Sequence, residues 1–220
     1  MLRECDLNEI SDGKKYSLND MAKVGCDDCK GCSACCKGMG SSIVLDPLDA
    51  MRIGEALDLS FEELLVNHLE LNVVDGIILP NLKMSGQDEA CVFLNEEGRC
   101  SIHPARPSIC RIFPLGRIYE DGAFSYFLQV NECKKANRTK CKVSKWIDTP
   151  NLRENQKYVA EWHFFLKEYQ DRIRAGASQE YAKQISMMIL NAFFLTPFTE
   201  PSDFYEECKK RMELMRAEIK

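Results

Sequence analysis

Five cysteines within eleven residues carry the chemistry of this chain: the run GCDDCKGCSACCKG, Gly25 to Gly38, holds Cys26, Cys29, Cys32, Cys35 and Cys36. Inert cysteines behave as small apolar residues and scatter through a core. Thiolates crowded into one glycine-containing loop repel one another unless a cation or cluster neutralises them, so the loop reads as a cradle for a metal or an iron–sulfur cluster. Structural zinc sites usually take two separated cysteine pairs, whereas a consecutive C-x2-C-x2-C run wraps around a cuboidal cluster. Cys26, Cys29, Cys32 and Cys36 reproduce the ferredoxin spacing C-x2-C-x2-C-x3-C, with Lys37 where that motif has proline. Neighbouring side chains tend to diverge, so Cys35 and Cys36 are more easily shared between two sites than given to one.

A second group, Cys91, Cys100 and Cys110, lies in CVFLNEEGRCSIHPARPSICRIFP, and Cys133 and Cys141 follow in a polar stretch. Ten candidate ligands therefore fall between residues 26 and 141, enough for two four-ligand sites. Softness and spacing favour an iron–sulfur cluster, with zinc or mononuclear iron as the alternative. Arg106 and Arg111 are candidate cofactor-side residues, neutralising thiolates or bonding the loop backbone; a structural ion pair is the plainer role. Pro104, Pro107 and Pro114 stiffen the chain around Cys110. Cys208 lies on a helical stripe and reads as a core thiol; Cys5 stands apart in a polar segment.

CKGCSACC, followed by CVFL, GRCSIH, ARPSIC and RIFP, closely resembles the YkgJ-like cysteine-cluster family, whose mark is CxxCxxCC. The resemblance spans roughly residues 24–118, with both motifs in the expected order. It implies zinc or iron chelation, with Cys29, Cys32, Cys35, Cys36, Cys91, Cys100 and Cys110 at the positions of the presumed ligands. Cys26, Cys133 and Cys141 lie outside the motif and rest on spacing alone. The family has Tyr or His at the position of His103, which favours an aromatic slot beside the loop over a nitrogen ligand. Flagellin lysine methylase-type proteins carry this domain too, which brings methyl transfer to a protein lysine into view.

Composition bounds the rest. At 220 residues, with 45% apolar and 29% charged residues, the chain has the make-up of a globular protein. A net charge of −5 gives no reason to expect nucleic acid or an anionic membrane, and Lys134, Lys135, Arg138, Lys140, Lys142 and Lys145 read as a solvated face. MLRECDLNEI is acidic where a signal peptide is basic and apolar, and no apolar run is long enough to span a bilayer. The expected setting is cytoplasmic, where cysteine-rich patterns mean metal or redox chemistry rather than disulfides. No P-loop, GxGxxG, GxSxG or HExxH is present, and Met39 stands where a radical-SAM CxxxCxxC would need its third cysteine.

The elements that must position these thiols read as an α-rich α+β fold. Residues 1–24 look like a polar arm, 25–149 a cysteine-cluster domain, and 150–220 a three-helix region. Asp46 with Pro47, and Ser60 with Glu63, mark two helix starts. The span Val73 to Val130 reads as loop-rich with a little β structure, and Asp121-Gly122 signals a hairpin. Stripes at Tyr158–Ile173, Tyr181–Ala192 and Phe204–Ile219 predict three helices with their apolar faces in a core; His68 and His163 read as ordinary helix residues. Three functions fit: an iron–sulfur protein with a redox partner or protein substrate, a zinc-stabilised binding domain, or a methylase-like enzyme.

Overall fold

In the computed structural model, which describes residues 6–26, 32–135 and 137–219, residues 7–25 are built into the fold rather than left as an arm. A short helix α1 (Leu7–Ile10) leads into strands β1 (Ser11–Tyr16) and β2 (Met21–Gly25). The polar sequence of β1 buries only its ends, Ser11 and Tyr16, while β2 alternates and buries Ala22 and Val24. The sequence reading fails here because both strands find their partners more than a hundred residues later.

Helices α2 (Pro47–Leu57) and α3 (Phe61–Asn67) begin where their caps predict: Asp46 accepts the Asp49 amide, and Ser60 and Glu63 form a reciprocal capping box. Strands β3 (Leu69–Val74) and β4 (Ile77–Leu82) form a hairpin whose turn residues, Asp75 and Gly76, have φ of 49° and 90°. Residues 43–45 run beside β4, with Leu45 N–H donating to Pro80 O at 2.9 Å and Leu82 N–H to Ile43 O at 3.0 Å. A small hairpin, β5 (Met84–Ser85) and β6 (Ala90–Cys91), precedes an irregular stretch ending in α4 (Ser108–Ile112). The Asp121-Gly122 signal is a hairpin between β7 (Leu115–Glu120) and β8 (Ala123–Gln129), and β1 adds to β8 in the order β1-β8-β7. Strand β9 (Thr139–Lys142) pairs with β2 so closely that a Cβ on Gly25 would lie 2.3 Å from Thr139 Oγ1. Helices α5 (Val143–Ile147), α6 (Leu152–Arg174), α7 (Gln179–Leu190) and α8 (Phe204–Glu218) complete an α-rich α+β fold.

Three cores result. The largest joins α6, α7 and α8 through Trp162, Phe165, Ile189, Phe204 and Met212, and takes in Leu48 and Ala50 of α2 with Val74 and Ile77 of the hairpin. Cys208 is fully buried there, a core thiol as its stripe implies. A second core gathers Tyr16, Ala22, Val24, Tyr126 and Val143. The third, of Ile43, Leu45, Ile53, Leu64, Phe93 and Ile102, backs the cysteines. Among the described residues, no helix is long and apolar enough to cross a membrane.

His163 of α6 stacks on Tyr119 of β7, ring centroids 3.6 Å apart and planes within 9°. Burial pushes its pKa from 6.5 down to about 4, and Lys167 and Arg117 add to the effect. The unfolded chain takes up this proton first, so the stability carried by the neutral ring is complete above pH 6.5 and is lost as pH falls toward 4. In urea unfolding at stepped pH, His163→Gln should flatten the fall in stability across that window; an unchanged slope would refute the assignment.

Candidate metal centre

The described part of the CxxCxxCC loop makes one 3-10 turn over Ala34–Cys36, closed by Cys36 N–H donating to Ser33 O at 2.9 Å. The chain beyond it is held against the β5–β6 hairpin. Lys37 bridges Ala90, Gly38 N–H donates to Glu89 O at 3.0 Å, and Lys37 Nζ pairs with Asp88 at 3.0 Å. These contacts set Cys35 and Cys36 beside the strand that carries Cys91.

Cys91 and Cys100 face each other across a tight turn. Leu94 bridges Cys100, Ser101 N–H donates to Phe93 O at 2.8 Å, and the Asn95 side chain accepts the Arg99 amide at 2.8 Å. Each thiol accepts an amide two residues ahead, Cys91 from Phe93 and Cys100 from Ile102. The Phe93 and Ile102 side chains are locked in the third core, so those amides cannot swing away.

Cys110 rides on α4, which is held at both ends. At its start Ser108 N–H donates to Asp49 Oδ1 at 2.8 Å. At its end Trp146 Nε1 donates to Ile112 O at 3.3 Å and Phe113 O at 3.2 Å. Arg111 is buried and donates to Arg106 O and Asp148 O, each at 3.2 Å, and to Pro104 O. Its role is therefore to tie the loop backbone. Arg106 instead sits beside thiols: it is a cation acting on Cys35 and, together with Arg99, on Cys100; its Nη1 meets His103 Nε2, and its Nε is buried without a hydrogen-bond partner.

The four thiols of Cys35, Cys91, Cys100 and Cys110 act on one another. A hydrogen bond with Cys36, then burial, pushes Cys35 up. Burial raises Cys91 and Cys100, and burial together with the Asp49 charge and the other three thiols raises Cys110. Left alone, the four hold their protons; a soft cation would relieve the repulsion that ionising them together creates. The donor chemistry fits such an ion, and the orphaned Arg106 Nε beside the sulfurs is a donor suited to the negative charge that bound thiolates would carry. The ligand shell is not closed: among the described residues there is no group of three or more His, Cys, Asp or Glu side chains that could hold a metal ion.

The remaining candidates lie elsewhere or beyond description. Cys29 lies outside the described residues, and Cys32 is half-buried at the edge of that gap. Cys26 is buried just past β2, Cys141 packs on the second core opposite Ala22, and Cys133 is half-buried ahead of β9. Cys91, Cys100 and Cys110 pack on the third core, so the thiols fall into two neighbourhoods. Cys32, Cys35, Cys36, Cys91, Cys100, Cys110, Cys133, Cys141 and Cys208 are free thiols. Sequence reasoning placed Asp46 as a helix cap but missed Asp49; both are buried, and an acid in a first helical turn is ordinary, with nothing local to say that it faces inward.

Fold and thiol set together define a cysteine-cluster, metal-chelating module braced by a helical core. The CxxCxxCC family model, described as "Putative zinc- or iron-chelating domain", matches residues 28–144, and the chain belongs to that family. No curated protein and no solved structure matches the chain.

Proposed function

We propose that Cys35, Cys91, Cys100 and Cys110 hold an iron–sulfur cluster and that the protein serves in electron transfer or redox sensing. The observation that carries this reading is the pair of amide-to-sulfur hydrogen bonds at Cys91 and Cys100. Such bonds, with a nearby cation such as Arg106, stabilise sulfur-borne negative charge and raise a reduction potential. The cluster would supply one-electron chemistry; the chain supplies thiolates, oriented amides and the Arg106 charge. Cys36, hydrogen-bonded to Cys35, stands next to the set and could replace one of the four.

A second reading is favoured by a different observation. Residues 91–112 contain little regular structure, the irregular kind of segment that a structural zinc ion stabilises. Anaerobic purification followed by iron, sulfide and zinc analysis separates the two. Iron with matching acid-labile sulfide and a broad visible band supports the cluster, whereas colourless protein with stoichiometric zinc replaces it with a zinc-braced binding domain.

A further inference from the structure

Helix α2 belongs to two cores at once: Leu48 and Ala50 pack among the C-terminal helices, while Ile53 packs behind the cysteines. Asp49 lies between them, only 2% exposed. Its Oδ1 accepts the Ser108 amide at 2.8 Å, and its Oδ2 is buried with no partner. A carboxyl group is costly to bury, and an exposed acid at this position would serve the helix dipole equally well. Facing inward, it meets a helix that needs an acceptor. Helix α4 has five residues, too few to sustain itself, and Pro107 ahead of it offers no side-chain cap.

We infer that Asp49 is a positioning residue for the metal centre: by accepting the Ser108 amide from across the core, it fixes the orientation of the helix that presents Cys110. This rests on the reading that Cys110 is a ligand. The same helix α2 receives Tyr158 of α6, whose hydroxyl accepts the Leu48 amide at 3.3 Å and donates to Asp46. The helical core thus bears on Cys110 through one rigid element.

The test uses the full apo chain loaded with cobalt(II), reading affinity by chelator competition and thiolate coordination by the charge-transfer band. Asp49→Ala should lower affinity about 10–100-fold, the usual effect of losing an outer-shell partner, and weaken the band. Asp49→Asn keeps an acceptor oxygen and should stay within about threefold of the parent, since Asn and Asp cap equally well. Ser108→Pro removes the donor instead; Pro107 has φ −54° and ψ 154°, which a following proline requires, and proline suits a first helical position. It should match Asp49→Ala, and the double variant should be no weaker than either, because both break one bond. Should Asp49→Ala fail to fold, Ser108→Pro carries the test. Parent affinity in Asp49→Ala or in Ser108→Pro, an Asn variant as weak as the Ala variant, or losses that multiply would each overturn the inference. If Cys110→Ser binds cobalt as tightly as the parent, the ligand reading itself fails.

Discussion

Removing the metal is expected to release residues 91–112 while leaving α6, α7 and α8 packed. The stretch from Cys91 to Ile112 has the last residue of β6, a 3-10 turn and a five-residue helix, and its buried side chains are few. A thiolate-bound structural ion contributes on the order of 10 kcal/mol of binding free energy that counts as folding free energy. The helical core owes nothing to the clustered thiols: Trp162, Phe165 and Phe193 are almost wholly buried against one another, and Phe204 is buried in the same core. Hydrogen exchange on metal-loaded and chelator-treated protein should show protection in 91–112 falling by ~100-fold or more, with α6 unchanged within a few-fold. Equal exchange of 91–112 in the two forms would refute a folding role for the ion.

Arg111→Met should destabilise the metal-loaded chain by about 3 kcal/mol. The buried guanidinium makes charge-assisted bonds to three carbonyls, those of Pro104, Arg106 and Asp148, and so fastens α5 to the loop before Cys110. Bonds of this kind are worth ~1.5–3 kcal/mol each, less what hydration of the freed carbonyls returns. Arg111→Lys should recover little, because an ammonium cannot reach three acceptors in the fork that guanidinium presents. Chemical denaturation of the metal-loaded protein measures both; a loss under ~1 kcal/mol in Arg111→Met would show the bonds to be replaceable by water.

What the sequence disclosed was local. The Asp46-Pro47 start, the Ser60/Glu63 box and the Asp121-Gly122 turn are written within a few residues, and each stands where it was expected. The aromatic and methionine stripes after Pro150 are as legible, because helical periodicity needs no distant partner. Strands β1 and β2 were opaque: SDGKKY has no apolar alternation, and its pairing with β8 is decided by Tyr126 and Phe127 far along the chain. The candidate site divides similarly. Spacing picked out the cysteines as chemistry, but only folding shows that Cys35, Cys91, Cys100 and Cys110 share a neighbourhood while Cys141 backs a different core. Arg106 and Arg111 look alike in sequence, yet one serves sulfur and the other backbone.

The β2–β9 ribbon has a consequence in time. It clasps the two ends of the cysteine segment, Gly25 against Thr139, and the matched family span of 28–144 lies almost wholly inside that clasp. Every thiol from Cys26 to Cys110 is therefore synthesised before the strand that closes over the first of them. At ~5–20 residues per second, a growing chain exposes the full set for seconds before β9 emerges. During that interval the soft ligands stand open on a nascent chain, and the cell's metal supply and its oxidants compete for the same sulfurs.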